Sequence, residues 1–121
     1  LLRGGMEFAV SRTGTTLVTL HGGSDTTACD DATSTLADTL ETLAAEGTIT
    51  DWDVTDADVY EHPTAPFDPY TIALEFSVTV TTEADDEREA AERGASAIDD
   101  ALTTADVASV AYTTSPAASA T

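Results

Sequence analysis

Apolar residues in the first twenty positions of the chain keep a single parity. Met6, Phe8 and Val10 are followed by Val18 and Leu20, with Arg12-Thr13-Gly14-Thr15 between them. A period of two marks a half-buried strand. Two structures satisfy this pattern. One is a long strand bent at Gly14; the other is a hairpin with a three-residue turn that pairs Val10 with Val18 and Phe8 with Leu20. Beyond the polar loop His21–Thr26 the period changes. Cys29, Ala32, Leu36, Leu40 and Leu43 recur three and four residues apart, which predicts a helix with one apolar stripe. Thr27 is its expected N-cap, with Asp30 completing a loose capping box, and Gly47 its expected C′ residue.

The stretch Thr48–Glu61 is rich in strand formers but changes face. Trp52 and Val54 share one parity, Ala57 and Val59 the other, so a bulge is expected near Thr55-Asp56, or two shorter strands. Pro63, Pro66 and Pro69 make the following segment a loop. Tyr70–Thr81 alternates most cleanly, with Ile72, Leu74, Phe76, Val78 and Val80 on one side and Thr71, Ala73, Glu75, Ser77 and Thr79 on the other. A second helix is predicted over Glu83–Leu102. Acidic residues crowd its first turn, where the helix dipole favours them. Its stripe of Ala91, Gly94 or Ala95, Ile98, Ala101 and Leu102 is small enough to lie close on a sheet. Val107–Thr113 reads as a last short strand.

Leu1–Gly5 precede Met6, which reads as a natural start, and Ser115–Thr121 read as a frayed tail. One domain over residues 6–114, with flexible termini, is the expectation. Its order, β-α-β-β-α-β with a possible extra hairpin strand in front, resembles the ferredoxin-like split βαβ sandwich. That resemblance covers nearly the whole chain after Met6. It implies an α+β fold with one antiparallel sheet and two helices on one face. The Thr-, Ser- and Ala-lined alternate positions of the third strand would then form the other sheet face, open to solvent or packed on a second copy.

Charge changes this picture more than any motif does. The chain carries 23 acidic residues against four basic ones, all arginine, for a formal charge of −19 on 121 residues. Such a fold repels itself unless counter-ions screen it. The composition resembles that of extreme halophiles, the salt-in archaea above all, and implies Na⁺ or K⁺ as solvating counter-ions. It argues against nucleic acid and anionic membranes as partners, because Arg3, Arg12, Arg88 and Arg93 are too scattered to form a basic patch. No apolar run approaches the ~18 residues of a membrane span. A single cysteine excludes an internal disulfide and fits a cytoplasmic protein.

In the ferredoxin-like order, three loops gather at one end of the molecule and carry His21, Asp25 and Cys29, then His62 and Asp68, then Asp106. His21, Cys29 and His62 form a candidate metal set, and zinc or copper suits those ligand types. Copper-chaperone relatives of this fold hold metal in the same first loop, but with a Cys-x-x-Cys pair that is absent here. The first turn of a helix would favour a thiolate at Cys29. The opposing reading, which carries more weight, makes Cys29 a small core hydrophobe. No catalytic residue and no cofactor is assigned. Gly22-Gly23-Ser24 lacks both the spacing and the lysine of a phosphate loop. Asp51-Trp52-Asp53 lacks the glycine and closing glutamate of a calcium loop. Trp52, Tyr60, Phe67 and Tyr70 either line a pocket under the proline loop or pack as core and lid, the latter being favoured.

The function expected first is that of a small non-enzymatic domain acting by self-association or by binding a protein or small molecule. A metal-handling protein comes second and a small cysteine-dependent enzyme third. The charge yields a direct expectation. The melting temperature should rise steeply between about 0.1 and 3 M KCl as repulsion is screened. Circular dichroism melts check this, and a melting temperature independent of KCl would overturn the halophilic reading.

Overall fold

The computed structural model describes residues 5–21, 23–65, 68–107 and 110–120. Its elements run β1 (Met6–Leu20), α1 (Asp25–Ala45), β2 (Asp51–Glu61), β3 (Tyr70–Ala84), α2 (Glu87–Thr104), β4 (Ala111–Tyr112) and β5 (Ala117–Ala120). The fold is α+β, with a five-stranded antiparallel sheet and two helices, and is compatible with a ferredoxin-like sandwich. The sheet order is β2-β3-β1-β4, and β5 also pairs with β1. Sharing that edge between two short strands departs from a strict ferredoxin-like arrangement of four.

The opening segment is a single strand of 15 residues, so the alternative hairpin does not form. β1 pairs with β3 without a register shift from Met6↔Ala84 to Leu20↔Tyr70. Gly14 serves close packing rather than a turn. A Cβ there would lie 3.1 Å from the Ala111 carbonyl oxygen and 3.4 Å from the Tyr112 ring. In β2 the expected bulge is present, with the register shifting between Val54 and Asp56. The extra residue, Thr55, donates its hydroxyl to the Glu75 carboxylate at 2.9 Å. The bulge returns Ala57 and Val59 to the side that Trp52 and Val54 occupy, so all four pack against the core.

Helix α1 begins three residues earlier than the Thr27 cap would require. Ser24 is its N-cap and accepts from the Thr27 N–H at 3.2 Å. The buried stripe is Ala28, Ala32, Leu36, Leu40 and Leu43, so Cys29 falls on its flank. Gly47, at φ 81, ends the helix as expected. Its N–H reaches Ala44 and the Thr48 N–H reaches Leu43, a Schellman pair. Helix α2 starts at Asp86, which caps Glu89 at 2.8 Å. It ends on a second Schellman pair, Asp106 to Thr103 and Val107 to Leu102. Here the left-handed position is held by Asp106, at φ 61.

The last strand differs from expectation. Only Ala111–Tyr112 pair with Gly14 and Thr15, and residues 108–109 of the expected strand lie outside the described residues. The presumed tail instead forms β5 on Phe8–Ser11. A 15-residue β1 leaves a long free edge beside a two-residue β4, and the tail covers part of it. Pro116, which has no N–H to donate, falls in the break between the two short strands. Across that break the Thr13 N–H bonds the Thr114 hydroxyl at 3.0 Å, and Arg12 Nε donates to the Thr114 carbonyl at 3.1 Å. The Arg12 guanidinium lies 4.0 Å over the Tyr112 ring, whose hydroxyl donates to Asp99 at 3.0 Å. Burial, then the Asp99 bond and charge, push the Tyr112 phenol up to about 12, with Arg12 opposing. This anchor is therefore intact below the ordinary tyrosine range and is lost as pH rises through about 12.

Phe8 and Val10 of β1 and Ile72 to Val80 of β3 meet both helices in one core. The tightest approach is α2 on β1. A Cβ built on Gly94 runs into the Val10 side chain, with Cγ2 only 2.6 Å away. Alanine gains about 1 kcal/mol of helix propensity but must push α2 off the sheet. Gly94→Ala should therefore destabilise the protein by about 1–3 kcal/mol. Chemical denaturation in concentrated KCl measures this, and an unchanged or higher stability would show that α2 rides free of β1.

Candidate functional site

Pairing Leu20 with Tyr70 sets the end of β1 beside the start of β3. His21 therefore lies at the same end as the β2–β3 loop, and Ser24 starts α1 there. Asp25, the first residue of α1, meets His62 from that loop, with Oδ2 3.2 Å from Nε2. Both side chains are more than half exposed, at 58% and 65%. The His62 ring tilts against Tyr70, centroids 6.3 Å apart. Within the loop, the Thr64 hydroxyl donates to Asp68 at 2.9 Å. His62 and Asp25, from two of the three predicted loops, do meet. Asp106 does not join them. It lies beside Thr35 and Thr39 of α1, ten residues and more beyond Asp25, roughly 15 Å along the helix.

Cys29 sits one turn into α1 and is half-buried beside Ala28. Its thiol is pushed up, first by burial and then by the negative charges of Asp58, Asp25, Asp30 and Asp56. This reverses the expectation that the first helical turn would favour its thiolate. The dipole of one turn is outweighed by desolvation and by carboxylates from α1 and β2 together. His21 is exposed at the end of β1. Among the described residues, no three of the His, Cys, Asp and Glu side chains come together as a metal would require. Of the candidate set His21, Cys29 and His62, His62 reaches Asp25 rather than the thiol. Gly22, of the Gly22-Gly23-Ser24 run, and Phe67, one of the four candidate pocket aromatics, lie outside the described residues. Trp52 and Tyr70 pack against the core, and Tyr60 is exposed.

The second candidate surface is the sheet face turned away from the helices. Period-two geometry gives it Ala9, Ser11, Thr13, Thr15 and Leu17 of β1 and Ala73, Ser77 and Thr79 of β3. These residues are half-buried, and none carries a charge. Ser11 and Thr79 join hydroxyls across the strands at 2.8 Å. Glu75 is the exception near the centre, and its carboxylate is engaged by Thr55. The same register puts Asp51, Asp53, Asp56 and Asp58 of the edge strand β2 on this face too, opposite Thr79, Ser77, Glu75 and Ala73, so carboxylates flank its uncharged strip. The alternation in β3 foretold this face. The left-handed turn at Asp106, just past the end of α2, was not foretold. Among the described residues no helix is long and apolar enough to cross a membrane.

Comparison of the chain with known protein families, curated proteins and solved structures finds no match. The electrostatics of Cys29 give a direct expectation. In the folded protein its alkylation by iodoacetamide should be slower than that of the urea-unfolded chain at the same pH and salt. Folded-state reaction as fast as the unfolded chain would restore Cys29 as a reactive thiol.

Proposed function

We propose that this chain is a small halophilic association domain of ferredoxin-like build, whose working surface is the open sheet face and whose partner is a second copy of itself. The observation that supports it is the run of uncharged Ala, Ser and Thr side chains that β1 and β3 present on that face, broken only by Glu75, on a chain of net charge −19. Charged residues are depleted at the cores of protein interfaces, and solubility alone gives no reason to thin them out on the two central strands of this face. The two fifteen-residue strands β1 and β3 give an uncharged strip roughly 50 Å long and two strand widths, roughly 10 Å, across. That strip, roughly 500 Å², is the uncharged centre of a contact whose rim is formed by the carboxylates of β2.

The short Ser, Thr and Ala side chains make a nearly flat surface, which two sheets can share by stacking about 10 Å apart. Monovalent cations are the counter-ions that allow two acidic bodies to approach, so the domain works in the salt-rich cytoplasm of its source. Light scattering on a sizing column in concentrated KCl tests this reading. The wild type should elute as a dimer. Ser77→Glu, which sets one carboxylate from each copy into the interface, should elute as a monomer with an unchanged circular dichroism spectrum. A wild-type monomer, or a dimer indifferent to Ser77→Glu, would refute association through this face.

A further inference from the structure

Two adjoining hollows open where the C-terminal end of α2 meets the middle of α1. The first, of about 200 Å³, is floored by Thr16 and Val18 of β1 and walled by Leu36, Asp106 and Val107. The second, of about 330 Å³, is walled by Leu43 and Glu46 of α1 and Thr104 of α2. Thr39 and Ala105 line both, so the hollows share a threshold. Each is lined by apolar side chains and threonines, and each holds one carboxylate.

Those carboxylates stand where local physics disfavours them. Asp106 follows the last turn of α2, and Glu46 is the C-cap of α1. The unpaired carbonyls of a helix end already carry negative partial charge, which favours a cation. Neither helix has a basic residue in its last turn. Asp106 also holds a left-handed backbone, which costs a residue with a Cβ about 1 kcal/mol or more and which α1 assigns to Gly47. Like charge on a helix end and backbone strain thus coincide at Asp106, an exposed residue on the lip of the first hollow.

We propose that this groove binds a linear aliphatic diamine. One ammonium group sits at Asp106 and the other at Glu46, and the methylene chain crosses Thr39 and Ala105. Each ammonium supplies the cation that its helix end lacks. The chain lies on the apolar lining, which a hydrated K⁺ ion leaves uncovered. This site is separate from the open sheet face, so the two readings stand or fall independently.

The test is an NMR titration of isotope-labelled protein with 1,4-diaminobutane in about 2 M KCl, where general charge screening is already complete. Shift changes should saturate and cluster at Val18, Thr39, Ala105 and Val107. Butylamine, with one charge, should bind about tenfold more weakly or worse, since it leaves one helix end uncompensated. Asp106→Gly relieves the strained backbone and the charge on the helix end. It should melt about 3–6 °C higher than the wild type yet bind the diamine at least about tenfold more weakly, which separates lost binding from lost folding. Thr39→Phe, which changes no charge, should block the threshold and weaken the diamine more than butylamine. The proposal is overturned by changes that never saturate or spread over the acidic surface. It is equally overturned by equal affinity for the two amines, or by Asp106→Gly binding as the wild type does.

Discussion

The ladder between β1 and β3 is the constraint from which the rest of the architecture follows. Its unbroken register, Met6↔Ala84 to Leu20↔Tyr70, fixes which residues face the helices, because a slip of one residue would exchange the two faces. It also fixes the helices. α2 springs from the end of β3 at Asp86 and is pinned on β1 where Gly94 meets Val10. Eighteen helical residues rise roughly 27 Å, whereas the strand beneath runs roughly 51 Å. The helix therefore ends partway along β1, against the middle of α1. The groove between the helices is the geometric remainder of that mismatch.

Charge is arranged around this frame rather than within it. The buried core is apolar apart from Thr16, and no buried side-chain polar atom among the described residues lacks a partner. The arginine–carboxylate pairs Arg88–Glu92 and Arg93–Glu89 are exposed i,i+4 pairs on α2, each worth a few tenths of a kcal/mol. Against these stand like charges placed directly opposite each other, Glu7 across from Glu83 and Asp56 across from Glu75. Packing therefore carries the fold, and charge opposes it to a degree that salt sets. Along the edge strand β2 the same repulsion is useful. Five carboxylates, from Asp51 to Glu61, guard the edge's row of backbone groups against strand addition by another chain.

The periodicities made most of this legible. Alternation located β3 and its open face, the change of parity in Thr48–Glu61 located the bulge at Thr55, and Gly47 located the end of α1. The errors share a cause. Parity alone does not distinguish a turn at Gly14 from a glycine that admits Tyr112, because the reason lies about a hundred residues away in sequence. The tail from Ser115 looked featureless because alanine and serine have little strand propensity; β5 forms because β1 offers an open edge. Cys29 was assigned to the helix stripe by spacing from Ala32 and Leu36. The stripe passes through Ala28, and the carboxylates that surround the thiol come partly from β2, so one helix read alone could not reveal them.

Helix α1 shows how the molecule substitutes for the lysine it lacks. Thr33, Thr35, Thr39 and Thr42 each turn a hydroxyl back to the carbonyl four residues earlier, at 2.8–3.1 Å. Threonine is a mediocre helix former, and such back-bonding adds little stability. The helix is held chiefly by Ala28, Ala32, Leu36, Leu40 and Leu43 against the sheet. A surface built of short hydroxyl side chains gains nothing from cations of its own and depends on those in solution. The association proposed for the open sheet face carries the same dependence, since two acidic bodies would meet there only with their rims screened. Folding and the proposed association therefore share one variable, the salt around the protein, through the same repulsion.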